Sequence, residues 1–212
     1  MKTLLRNWPE LRWGAIALFF LLISGCAALR PDPQPHPSFY TLNYAPATAA
    51  AARSVSTGPT LLVSTPLAAA GFDSPRIIYL RQTHKLEYFA HSEWVDTPAR
   101  MLTPLLIAAV EHGGSFRAVA HAPGPASGDL RLDTEVLLLQ HEFTEQPSRV
   151  RFVLRAYVVE ESSRRVVATR QFEASVIAPS EDTYGGVVAA NQAVQHVLES
   201  VAAFCAEAGN SR

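Results

Sequence analysis

Hydrophobic and polar positions alternate most regularly in the second half of the chain. Within Arg149–Glu160, the residues Val150, Phe152, Leu154, Ala156 and Val158 interleave with Arg149, Arg151 and Arg155. Asp129–Phe143 repeats the pattern, with Leu130, Leu132, Val136 and Leu138 set against Arg131, Asp133 and Glu135. Together with Val166–Ala178, these segments predict three long antiparallel strands joined by short polar turns, buried on one face and wet on the other. The period then becomes helical. Over Thr183–Ala208, the residues Tyr184, Val187, Val188, Val194, Val197, Leu198, Val201 and Cys205 fall on one broad stripe.

Upstream, Thr60–Thr65 reads as a short apolar strand followed by a loop to Ser74. Arg76–Arg81 and Leu86–His91 flank Gln82-Thr-His-Lys85, a hairpin pattern. Asp96-Thr97-Pro98 predicts a helix start, with a capping side chain and proline at the first helical position. Met101, Leu102, Leu105, Leu106, Ala109 and Val110 continue it at helical spacing, and Gly113-Gly114 ends it. Pro104, lying inside, is expected to kink the helix or confine regular hydrogen bonding to its second half. Phe39–Tyr44 has the aromatic, β-favouring character of an edge strand, and Ala45–Pro59 is an Ala/Ser/Thr-rich loop or second linker. The expected fold is α+β, a mainly antiparallel sheet with two helices packed on one face.

Charge changes this picture at the amino-terminal side. The chain has 212 residues, of which 17% are charged, below the roughly 25% usual for globular domains. The deficit is local, because Trp13–Phe72 holds only Arg30, Asp32 and Arg53. Residues 73–212 have near-normal charge. A net charge of −1 lacks the basic excess that phosphate binding requires, which argues against nucleic acid as a partner.

Lys2, Arg6 and Arg12 precede the apolar run Trp13–Ile23 and then Ser24-Gly25-Cys26. A basic start, an apolar stretch and small residues before a cut site describe a secretory signal peptide. Uncharged sequence runs only from Trp13 to Leu29, marginal for a membrane span of about 20 residues. Ile23-Ser24-Gly25-Cys26 resembles the bacterial lipobox. That resemblance implies cleavage before Cys26, a diacylglycerol on its thiol and an acyl chain on its new amino terminus. Ala27 at the next position favours the outer membrane over inner-membrane retention. Such multiple chains anchor stably, where one chain binds marginally. Arg30–Pro37 reads RPDPQPHP, whose alternating prolines force an extended tether. The expected organisation is therefore a signal peptide at 1–25, a lipid-anchored tether at 26–59 with a short strand near 39–44, and one α+β domain at 60–208.

With Cys26 acylated, Cys205 has no partner for an intramolecular disulfide, and its place in an apolar helical pattern suits a small buried hydrophobe. None of the seven histidines pairs with another at metal-ligand spacing, and no nucleophile elbow, phosphate loop or dinucleotide fingerprint is present. No catalytic residue, metal site or cofactor is expected, and the chain is read as non-enzymatic. Two features invite a partner interface. Trp94, just before the first helix, reads as a core-rim aromatic or as an interface anchor. Arg149, Arg151 and Arg155 share a strand face that suits either an anion or ion pairing with nearby Asp133, Glu135 and Glu142.

The lipobox, the Phe39-Tyr40-Thr41-Leu42 strand, Arg76–Arg81 and Leu86–Leu102 occur in that order, followed by three long strands and an alanine-rich last helix. This combination resembles the ABC-type transport auxiliary lipoproteins, whose better-known members accompany mammalian-cell-entry (MCE) proteins in paraquat-inducible systems. The resemblance spans roughly Pro37–Ala208. It implies a non-catalytic periplasmic lipoprotein of a lipid or solvent transport system, anchored to the outer membrane, that docks an MCE-type protein, with homo-oligomeric rings in some members. It transfers no catalytic or ligand residues. Ala45–Pro59 is longer than the family pattern. An outer-membrane assembly lipoprotein of a secretion or cell-envelope complex is the alternative.

Overall fold

The computed structural model describes residues 36–45 and 57–210. The expected signal peptide, the lipobox, Cys26 and the tether up to residue 35 lie outside the described residues, as does most of the Ala-rich segment. Eleven strands and helices follow in order: β1 (Ser38–Tyr40), β2 (Thr60–Ser64), β3 (Leu67–Ala68), β4 (Arg76–Gln82), β5 (Lys85–Trp94), α1 (Pro98–His112), β6 (Ala118–Ala122), β7 (Leu130–Glu142), β8 (Arg149–Glu160), β9 (Val166–Ile177) and α2 (Thr183–Asn210).

The fold is α+β, and β7 is its spine. One edge of β7 carries the antiparallel meander β7-β8-β9, the long ladders that the alternation predicts. Its other edge is shared by three short strands that run parallel to it in succession. Leu61 lies beside Leu130, Leu67 beside Glu135 and Tyr79 beside His141. Beyond these, β6 adds parallel to β2, while β5 pairs antiparallel with β4 and β1 adds parallel to β5. β1 is thus an edge strand as expected, though it stops at Tyr40. The two-residue β3 and the strand β6 carry too little alternation to read from sequence. The β4–β5 connection is also tighter than the four residues predicted. Gln82 pairs with Lys85, leaving a two-residue turn in which His84 adopts φ 68°.

Alternation along β7 breaks at one point. Val136 pairs with Leu154 but Leu138 pairs with Val153, so Leu137 is an extra, bulged residue. A bulge of one residue exchanges the faces of everything after it. Leu138, predicted to be core, is therefore half-buried on the helix-free side, and Leu139 and His141 turn inward instead.

Both helices pack on the same side of the sheet and on each other. Leu102 and Leu106 of α1 join Phe152 and Leu154 of β8 and Val194, Leu198 and Val201 of α2 in one cluster. Pro98 occupies the first turn of α1 as predicted, but the cap differs. Thr97 is the N-cap residue and makes no side-chain cap. Asp96 lies one position too early, so its carboxylate accepts from the Thr97 N–H (2.7 Å) and pairs with Arg100 (3.1 Å). Helical hydrogen bonding begins upstream of Pro104, where Met101 N–H donates to Thr97 O (3.1 Å). The helix stops at His112, with Gly114 at φ 67° supplying the left-handed step. In α2 the predicted stripe holds except at Tyr184, which is 64% exposed, and at Val188, which is only half-buried. The inward face is completed by small residues instead, Gly185, Gly186, Ala189, Ala190 and Ala193, and by Phe204. The segment after β1 is strapped to α2. Asn191 Oδ1 accepts from Asn43 N–H (2.7 Å), Gln195 Oε1 accepts from Ala45 N–H (3.1 Å), and Leu42 inserts into the core.

Candidate functional site

The three arginines singled out by sequence do share the helix-free face of β8, and each is ion-paired. Arg149 meets Glu145 (3.2 Å), Arg151 meets Glu173 (2.9 Å) and Glu142 (3.3 Å), and Arg155 meets Glu135 (3.6 Å). Asp133 serves Arg131 instead (2.9 Å). These pairs bridge β7, β8 and β9 across the sheet, the cross-strand arrangement that stabilises antiparallel ladders modestly. Bound this way, the guanidiniums offer an incoming anion little uncompensated charge. Trp94 is 4% exposed and lies in the core, with its backbone N–H donating to Pro75 O (2.7 Å), so its indole presents no surface to a partner. The residues expected to form the lipobox and carry the lipid, Ile23, Ser24, Gly25 and Cys26, lie outside the described residues.

A polar cluster that the sequence reading did not assemble lies where α2 begins. Asp182 caps this helix, its carboxylate accepting from Gly185 N–H (2.7 Å) and from the Ser180 hydroxyl (2.8 Å). Glu181 accepts from Ser148 N–H (2.9 Å). Across the β7–β8 turn, His141 Nε2 lies 2.9 Å from Ser148 Oγ. Both side chains are buried. Gly186 is required here because a Cβ would collide with His141 Nδ1, and that nitrogen has no hydrogen-bond partner among the described residues. Burial pushes the imidazole pKa below its ordinary 6.5, while the Glu181 and Asp182 carboxylates pull it partly back. Both carboxylates are themselves held low, Glu181 by the Ser148 N–H and Asp182 by the Gly185 N–H. The bulge at Leu137 is the cause of this cluster, because it turns His141 inward, and alternation alone gives no sign of it.

A serine hydroxyl 2.9 Å from an imidazole is the spacing of a nucleophile and its base. The surroundings argue for a structural role. Ser148 is 0% exposed, and the adjoining void of about 10 Å³ holds at most a single water. Cys205 is likewise fully buried, and desolvation pushes its thiol up to about 12, which suppresses the thiolate that nucleophilic chemistry requires. Among the described residues no group of His, Cys, Asp or Glu is arranged to hold a metal ion. No helix among them is long and apolar enough to cross a membrane. The larger surface hollows are open and shallow, including one of about 300 Å³ over Arg149, Arg151 and Glu173.

A spine strand with a long meander on one edge, a forked set of short strands on the other and two helices over one face defines an α+β domain. The model of the ABC-type transport auxiliary lipoprotein component family matches residues 40–202, and the chain belongs to that family. The match starts in β1 and ends in α2, so it takes in essentially the whole folded unit. Among solved structures, a protein from Xanthomonas campestris is similar at 25% identity with a TM-score of 0.70, covering 82% of this chain and 98% of that one. A hypothetical protein from Chlamydia trachomatis shares the fold at 7% identity, with a TM-score of 0.55 over 74% of this chain and all of its own. No curated protein matches by sequence.

Proposed function

We propose that this chain is a non-catalytic, lipid-anchored component of an MCE-type ABC transport system for lipids or solvents. In this reading Cys26 carries the acyl chains in the periplasmic leaflet of the outer membrane, the proline-rich segment sets the reach, and the folded domain docks the MCE-type partner. ATP hydrolysis belongs to a separate cytoplasmic subunit. The observation that carries the proposal is the family match across residues 40–202. The burial of the Ser148–His141 pair and of Cys205 supports a binding role over a chemical one.

Two measurements test this reading. Replacing Cys26 with Ala should abolish palmitate incorporation and release the protein from the membrane fraction while leaving its melting temperature unchanged. Retained labelling would refute the anchor. Crosslinking in cells followed by purification should recover an MCE-type protein encoded alongside. Recovery of secretion or cell-wall assembly proteins instead would establish the alternative of an envelope-assembly lipoprotein.

A further inference from the structure

The tip of the β8–β9 hairpin differs from the rest of the charged surface. Among the described residues, every Lys and Arg except two takes part in an ion pair or lies over an aromatic ring. The exceptions are adjacent, Arg164 and Arg165, and both are exposed. The acids around them are already engaged. Glu161 holds Arg131 (2.6 Å), Glu160 accepts from the Ser163 hydroxyl (2.6 Å), and Glu207 holds Arg170 (3.1 Å).

Apolar surface adjoins this uncompensated charge. Val159 pairs with Val166 and Val158 with Ala168, so Val167 is a bulged residue. Consecutive Val166 and Val167 are consequently both exposed, at 51% and 40%. A hollow of about 420 Å³ runs from Arg165 between β9 and the end of α2, with Val167, Ala168, Phe204 and Ala208 supplying its apolar wall. Along the same element, β9 pairs only with β8, so its outer edge has no neighbouring strand among the described residues. From Ala168 to Ile177 that edge holds no proline and no bulge, two of the devices that blunt an edge against pairing, and its charged residues Arg170 and Glu173 are already paired with Glu207 and Arg151.

From this we infer that the β8–β9 tip and the free edge of β9 bind an extended acidic and apolar segment of a protein partner, which adds as a strand beside β9. Backbone groups of the edge would supply affinity and Arg164, Arg165 and the apolar hollow the selectivity. The inference rests on the transport-docking reading and names its surface. The free edge favours a protein over a membrane, because its backbone N–H and C=O groups pair with an extended peptide and not with lipid chains. The tip lies beyond Glu160, which pairs with Leu130 at the start of β7. Ser38 enters β1 parallel to β5, from the side of the Thr83–His84 turn, and that turn lies beyond the other end of β7. His84 therefore lies at the end of β7 opposite the one that displays the arginines.

A photo-crosslinking amino acid placed at Val167 of the full-length protein, expressed with its genomic neighbours, tests this, with His84 as the far-end control. Val167 should capture a transport-system protein through an acidic, apolar peptide. The double variant R164E/R165E should lower the yield by about tenfold or more, as removal of steering and paired charges does, with an unchanged melting temperature. Reversing the charges of the captured peptide should restore the yield. Capture of that protein from His84 with Val167 silent overturns this inference and leaves the transport reading standing. A Val167 adduct with phospholipid or with a second copy of this chain overturns it in favour of those occupants. Capture from neither position overturns both readings.

Discussion

The two faces of the β7-β8-β9 meander are built from alternate residues of the same strands, and they solve different problems. On the helix side, Leu132, Phe152, Leu154 and Ala156 are fully buried and find apolar partners in α2. On the open side, Arg131, Arg151 and Arg155 are matched to Asp133, Glu135, Glu142 and Glu173. The first face stabilises by removing apolar area from water, whereas the second gains little from half-exposed ion pairs and mainly keeps the sheet soluble and in register. The contrast separates stability from recognition. Among the described residues neither face leaves an arginine unanswered, and the recognition surface proposed above is the hairpin tip, where Arg164 and Arg165 have no ion pair among those residues.

The largest break in this contrast should come from Phe152→Ala. Removing a fully buried ring should cost about 3–5 kcal/mol, read as a fall in denaturation midpoint. Gly186→Ala comes next. It adds one methyl group against His141 Nδ1 and should cost about 1–3 kcal/mol despite the better helix propensity of alanine, which chemical denaturation would show.

Acidification should then sharpen the comparison through His141. Its folded pKa lies below the ordinary 6.5, so the unfolded chain takes up the proton first. The contribution to stability is therefore complete above about pH 6.5, declines as pH falls through that value, and levels off once the folded imidazole is also protonated. Denaturation midpoints measured between about pH 7 and 5 should show this slope, and His141→Gln should flatten it. Glu181 and Asp182 have depressed pKa values, so their contribution is lost at lower pH, below the ordinary 4.5 and 3.8, in a separate window. The smallest effect belongs to the open face. Arg151→Ala should change stability by no more than about 1 kcal/mol, and less at high salt. A larger loss would show that the ion pairs hold the sheet together.

Much of this architecture was legible because regular burial writes itself as regular alternation. The three meander strands, both helices, the hairpin at Thr83–His84 and the Pro98 helix start all follow from local periodicity and turn chemistry. The short strands β3 and β6 were not legible, since two to five residues paired with a single parallel neighbour carry no periodic signature. Trp94 shows the same limit at a single position: its sequence context suits an anchor and a core aromatic equally, and only the packing around it places the indole inside. The proposed lipid-attachment motif is the reverse case. A lipobox at Ile23–Cys26 would be read by an enzyme as linear sequence, so its recognition needs no fold.

Sequence by itself therefore determined the class of protein, the long strands and helices of its α+β fold, and the wet face of β8 and of β7 as far as Val136, because those depend on interactions between near neighbours along the chain. Tertiary structure decided what depends on register. The one-residue bulge at Leu137 turned His141 inward onto Gly186, and cross-strand pairing neutralised Arg151 and Arg155. Charge is matched or left free according to which strands become neighbours, and so only the folded sheet distinguishes the paired arginines of β8 from the unpaired ones at its tip.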